Sequence, residues 1–285
     1  MPPLATVQAS NATFQPSYVP VAVFVGGTAG IGKCTAQLLA QILKGRLRLV
    51  IVGRNESAAR DIIASLPPAT GEGAGYEFLP CDVTVMKNVH GVSKTLRDRL
   101  PKVNYLVLSA GVFSVKGWEE TEDGLDKKLA SRYYSKWAFT NDLLPLLRNA
   151  KQAGEDAKVM SVLAAGKYAG IDVNDLGLKK SFSGLKAMMQ SISYTDLMTA
   201  TNALSIDHWL ATLLSPLLKL VFWAIAVEPE VCAQHMLYAL LDSKEGLSRR
   251  NEHGDDIGDL KFPQEEGAQA KLWVHSVETT KSTVL

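Results

Sequence analysis

VAVFVGGTAGIGK, Val21 to Lys33, is the stretch that decides the fold. Its first half is an apolar, β-branched run stopped by glycines, which reads as a strand buried on both faces. Its second half opens IGKCTAQLLAQIL (Ile31–Leu43), where apolar residues recur at helical spacing. Gly26, Gly30 and Gly32 therefore fall in a strand-to-helix turn, spaced G-x-x-x-G-x-G. Residues without Cβ let such a turn bend sharply, let its backbone approach a pyrophosphate, and let helix pack on strand. The first N–H groups of the helix then face the anion. Many α/β proteins carry a glycine-rich turn for packing alone; its place after the first strand is what points to a phosphate.

Four more apolar runs follow: LRLVIVGR (Leu47–Arg54), YEFLPCDV (Tyr76–Val83), NYLVLSAG (Asn104–Gly111) and KVMSVLAAG (Lys158–Gly166). Helical segments separate them. NESAARDIIASL has Asn55 as its N-cap, MKNVHGVSKTLRDRL has a polar face, and a long helix runs from about Gly124 to Leu147. Continuous rather than alternating runs mean strands covered on both faces. The alternation with helices implies an α/β fold, a Rossmann-type doubly wound parallel sheet in a single domain. That domain spans residues 21–285, and residues 1–20 read as a flexible lead-in ending at Pro20.

Composition narrows the classes of function. A chain of 285 residues can bury one large core, and 47% apolar with 21% charged residues is ordinary for a globule. A formal charge of +1 gives no basic surplus for nucleic acid. Cys34, Cys81 and Cys232 are far apart and without zinc-site spacing, so no metal is expected and the thiols suit a reducing compartment. Without a basic, apolar leader the expected location is cytoplasmic, and the sequon Asn11-Ala12-Thr13 is a chance match. LATLLSPLLKLVFWAIAV (Leu210–Val227) is nearly as long as a membrane span. Pro216 and Lys219 interrupt it, and a central Lys costs about 2.5–3.5 kcal/mol on insertion. It reads as an apolar lid or packing helix, with membrane contact as the alternative.

Arg54 closes the second strand. An acidic residue there would hold a ribose 2′-hydroxyl. A guanidinium suits a 2′-phosphate, which it meets as a fork, and Lys33 offers a second cation. The expected cofactor is NADP(H) rather than NAD; a solvated strand-end arginine is the other reading.

Taken together, these motifs resemble the short-chain dehydrogenase/reductase family over about Val21 to Ala200. VGGTAGIGK is similar to the family's TGxxxGxG loop, with Val25 for the threonine. CDVT (Cys81–Thr84) resembles the adenine-contacting segment, and SAG (Ser109–Gly111) resembles NAG with Ser109 for asparagine. LDKKLASRYYSKWAFTNDLLPLL, GLKK and GDDIG look especially like fungal members associated with secondary metabolism. The resemblance implies cofactor contacts in turn from Gly26, Thr28, Gly30, Ile31, Gly32 and Lys33; from Arg54 and Asn55; from Asp82 and Val83; from Ser109, Ala110 and Gly111; and from Lys186. It also implies hydride transfer between nicotinamide and a carbonyl carbon. In the family a tyrosine acts as acid or base, a lysine four residues on lowers its pKa, a serine polarises the carbonyl, and an asparagine on the long helix holds a relay water. Oligomers are common in the family, so a homo-oligomer is implied.

The catalytic positions depart from that pattern. Ser161 matches the serine and Lys186 the lysine, but Phe182 stands at the usual tyrosine position and Arg132 at the asparagine. The spacing places Phe182 on the helix that carries Lys186. Phenylalanine donates no proton, and losing a positioned acid costs roughly 10²–10⁴ in rate. Tyr133, Tyr134, Tyr168, Tyr194 and His208 are candidate substitutes; the plainer readings are helix packing for Tyr133 and Tyr134, a surface-loop position for Tyr168, a place too far along the helix for Tyr194 and a structural role for His208. Arg132 could bind a substrate carboxylate or enolate, or form a surface ion pair. An apolar tract at 210–227 with Trp209 beside it suits a bulky apolar substrate. Two readings stay open: an NADP(H)-dependent oxidoreductase with a rebuilt proton donor, and a non-redox isomerase, cyclase or inactive relative on the same fold.

Overall fold

A computed structural model describes residues 2–114, 116–163, 169–199, 228–243, 246–251, 255–258 and 266–282. Five strands form one parallel sheet: β1 (Val21–Val25), β2 (Arg48–Gly53), β3 (Gly75–Pro80), β4 (Tyr105–Leu108) and β5 (Lys158–Ser161), in the order β3-β2-β1-β4-β5. The order reverses between β1 and β4, which opens a crevice at the C-terminal strand ends. Each strand is shorter than its apolar run. The residues beyond it turn away to build loops at that crevice.

The described helices are α1 (Leu4–Ala12), α2 (Gly30–Ile42), α3 (Glu56–Ser65), α4 (Met86–Arg99), α5 (Lys127–Leu129), α6 (Ser135–Gln152), α7 (Gly184–Thr199), α8 (Pro229–Asp242) and α9 (Ala268–Thr280). A π-helical turn, Ala130–Tyr134, joins α5 to α6. Side-chain alternation along the strands divides the core in two. Val21, Val23 and Val25 pack with α4, α6, α7 and α9 residues such as Val89, Phe139, Tyr194 and Leu272. Ala22 and Phe24 pack on the other face with Leu39 of α2, Ile62 of α3 and Leu237 of α8. Both faces of β1, β4 and β5 are thereby dry, which is why they read as apolar runs; β3, at the sheet edge, is half-buried.

The N-terminal segment is not the loose lead-in expected from its composition. Leu4–Ala12 is a helix that packs on α8, with Val7 and Asn11 buried one turn apart. The Asn11 amide donates to the Gln234 carbonyl and to its side-chain oxygen, each at 2.9 Å. The partner lies more than two hundred residues on, so no local pattern announced it. The same burial places the sequon asparagine out of reach of solvent. Asn55 caps α3 as read, accepting from the Ala58 N–H at 3.0 Å. Among the described residues no helix is long and apolar enough to cross a membrane. Leu210–Val227 lies outside the described residues, as do Tyr168, His208 and Trp209.

Candidate active site

The turn after β1 is assembled by contact with the end of β4. Gly26 has φ +94°, and a Cβ there would stand 2.5 Å from the Ala110 nitrogen. At Gly32 a Cβ would stand 2.2 Å from Ser109 Oγ and 2.6 Å from the Gly26 carbonyl oxygen. The Ser109 hydroxyl lies 3.2 Å from both the Val25 and Gly26 carbonyl oxygens, and ties turn to strand. Gly30, at φ +54°, has open space around its missing side chain. Ala29 caps α2 and offers no side-chain acceptor, so the first N–H groups of this 13-residue helix have no side-chain partner. A cradle that two Cβ atoms would fill, closed by an uncapped helix start, fits the phosphates of a dinucleotide.

The neighbouring loops complete this half. Thr28 lies against Gly53, so the turn sits beside the end of β2. Arg54 and Asn55 follow there and are exposed, and Lys33 is half-buried on α2. Asp82 forms a tight turn, accepting from the Thr84 N–H at 2.9 Å and its hydroxyl at 2.8 Å. Val83 beside it is buried. Ser109 and Ala110 donate their N–H groups to the Val25 carbonyl, and Gly111 is exposed at the crevice.

The other half of the crevice differs from its expected layout. α7 begins at Gly184, so Phe182 precedes the helix and Lys186 falls in its first turn. The two do not share a helical face. Phe182 stacks edge-to-face on Trp118 at 5.2 Å and lies over the buried Lys128 ammonium at 5.3 Å. The Trp118 and Lys128 contacts fix the ring. Lys186 donates to Ser181 Oγ, whose own hydroxyl donates to Asp175 at 2.7 Å. Ser161 is buried, and its hydroxyl has no partner among the described residues.

The π turn distributes its side chains in opposite directions. Tyr133 shares a 2.6 Å hydrogen bond with Ser276, and Tyr134 a 2.7 Å one with His275, both on α9. Burial pushes both phenols above their ordinary value, so they stay neutral and structural. Tyr194 packs on Tyr133 and donates to the Leu176 carbonyl at 2.9 Å. Arg132 points the other way, against Gly111, and its Nε donates to Ser191 Oγ at 3.4 Å. It is half-buried and has no ion-pair partner among the described residues, and burial draws its guanidinium below the ordinary value. Lys136, which sequence reasoning did not single out, is brought next to Ser161. It is 4% exposed, and its ammonium donates to the Val162 carbonyl at 2.8 Å, next to Ser161. Its only sequence signal was a lysine four residues after Arg132 inside an otherwise core-forming run.

A family model described as short chain dehydrogenase matches residues 20–173. Oxidoreductase andH of Emericella variicolor is 30% identical over 274 residues, covering 89% of this chain and 80% of that protein. An oxidoreductase of Emericella nidulans is 37% identical over 194 residues, 68% of this chain; the match spans only 56% of that relative. Human polyprenol dehydrogenase is 26% identical over 94% of this chain and 87% of its own length. Among solved structures, a complex of Pseudomonas aeruginosa RhlG with NADP superposes with a TM-score of 0.58 at 16% identity, over 84% of this chain and 97% of that one. That likeness carries the fold.

Proposed function

The chain belongs to the short-chain dehydrogenase family, and from that membership we propose that it is an NADP(H)-dependent oxidoreductase acting on a carbonyl or alcohol of a bulky, largely apolar small molecule. The observation that carries this is the cradle of Gly26, Gly32 and Ser109, set at the sheet's switch point with Arg54 exposed beside it. In this reading the α2 N-terminus and the glycine turn hold the pyrophosphate, and Arg54 with Lys33 holds the 2′-phosphate. The bound nicotinamide supplies or accepts the hydride. Ser161, whose buried hydroxyl has no other described partner, orients the substrate oxygen. NADP in the solved RhlG complex supports the choice of cofactor. The apolar body of the substrate rests on the composition of residues 210–227.

Phe182 packed on Trp118 favours a second reading, a non-redox isomerase or cyclase that retains the cofactor cradle. Titration with NADPH and NADH, following the five tryptophans, tests the first step. NADPH is expected to bind more tightly, and Arg54→Ala to weaken it by about 10–100-fold, the worth of one or two charge-assisted bonds. NADH binding should change by less than about twofold, since the lost bonds go to the 2′-phosphate. No binding of either dinucleotide would sink the oxidoreductase reading. NADPH binding without turnover of any carbonyl would move the balance to the second.

A further inference from the structure

Two basic side chains meet behind the crevice, and among the described residues neither has an ion-pair partner. Arg132 and Lys136 lie four residues apart, and Arg132 is close enough to disfavour the charge on Lys136. Neither forms an ion pair with a described residue, because the carboxylates around this half of the molecule are engaged elsewhere. Glu119 and Asp126 pair with Lys128, Asp142 with His90, and Asp196 with Arg249. Charges taken out of water are normally paired, because their lost hydration is otherwise uncompensated. Lys136 makes one described hydrogen bond, to a neutral carbonyl.

A third group points the same way. Ser161 is 1% exposed and has an unpartnered hydroxyl. Alternation along β5 puts its side chain on the face of Val159, whose cluster includes Tyr133 and Ala138 of the overlying helices. The Lys136 ammonium reaches the very next residue, Val162. Arg132 leads outward, its side chain 3.5–3.7 Å from where a Cβ of exposed Gly111 would stand. These side chains thus bring a fork, an amine and a hydroxyl to one side of β5, with the fork beside Gly111.

We propose that Arg132 and Lys136 form an anion site that receives a carboxylate on the substrate, next to the Ser161 hydroxyl that orients the reacting oxygen. This rests on reading the crevice as the substrate site of the oxidoreductase, and it refines that reading: the substrate is an apolar body with an acidic end. A carboxylate would accept the Arg132 fork and favour the charged form of Lys136, which burial and Arg132 disfavour, and it would leave the Ser161 hydroxyl to the reacting oxygen.

The test uses the full chain without cofactor, with 2-naphthoate as probe and 2-naphthamide as its neutral counterpart, followed by tryptophan quenching. Naphthoate is expected to bind about tenfold or more tightly than the amide. Lys136→Met and Arg132→Gln should each remove most of that preference while changing amide affinity by less than about twofold, and Lys136→Arg should keep it. Lys136→Met should melt no lower than wild type, because a buried charge replaced by an apolar chain of like volume is tolerated. A purely structural lysine would instead lower the melting temperature and leave the preference unchanged, which overturns the proposal. Equal affinity of the wild type for both probes overturns it as well. A parallel NADPH titration separates the two readings. Naphthoate preference without NADPH binding keeps the pocket and sinks the oxidoreductase, and NADPH binding without the preference does the reverse.

Discussion

Replacing Gly32 by alanine is the sharpest probe of the cofactor cradle. The added methyl would stand 2.2 Å from Ser109 Oγ and 2.6 Å from the Gly26 carbonyl oxygen. The first contact can be relieved by rotating a hydroxyl, at the expense of its bonds to Val25 and Gly26. The second cannot, because the obstacle is backbone. Reaching even 3.0 Å requires α2 and the turn to part by about 0.4 Å, in a segment packed between two strands. Overpacking of this kind costs about 1–3 kcal/mol, or roughly 2–12 °C in Tm for a large domain. Because the parting occurs where phosphate would sit, NADPH affinity should fall further than stability. Ser109→Ala in the same chain removes only the first contact, so the double variant should recover part of the loss. Gly30→Ala is the control. It has open space and bears only the strain of φ +54°, about 1–2 kcal/mol, with no parting of the turn. Thermal melts and NADPH titrations of the three variants decide the matter. A Gly32→Ala protein as stable and as tight-binding as wild type, or no recovery in the double variant with Ser109→Ala, would refute the packing argument.

Further outcomes follow from other contacts. Phe182→Tyr should leave carbonyl-dependent NADPH oxidation within about twofold of wild type, since the ring faces Trp118 and Lys128; a gain of the roughly 10²–10⁴ that an acid provides would mean the ring reaches the substrate. His90 bridges α4, α6 and the end of α9, with Nδ1 2.7 Å from Asp142 and Nε2 2.7 Å from the Thr280 carbonyl. Both partners only accept, so both bonds require the imidazolium. The Asp142 bond foremost raises its pKa in the folded protein, against opposition from burial and Arg97. A raised folded pKa means the stabilisation is complete below the unfolded value of about 6.5 and is lost as pH rises through the folded one. Urea unfolding should therefore show His90→Gln losing more stability at about pH 5.5 than at about pH 8.5; an equal loss at both would contradict the doubly bonded imidazolium.

Much of this molecule is local in origin and could be read from the chain. Val21–Val25, β2, β4 and β5 are largely apolar because both of their faces are covered, whereas β3 at the sheet edge is only half-buried, and periodicity reports the covered strands directly. The glycines of the first turn and the Asn55 cap are equally legible, since each answers a steric or hydrogen-bonding need within a few residues. The helix at Leu4–Ala12 was not legible, because its stability comes from Gln234 and α8 rather than from its own pattern. Phe182 was placed within a helix on the strength of its spacing from Lys186, yet Trp118 and Lys128 hold it outside. Lys136 was overlooked for a similar reason. A lysine in sequence is a solvated charge by default, and only the packing of the π turn and α6 on β5 strips its water and brings it to Val162 beside Ser161. Chain-local sterics and hydrophobic periodicity thus determined the sheet and the cradle. Desolvation and contacts between distant residues, which exist only once the layers close, decided which charged groups face the crevice.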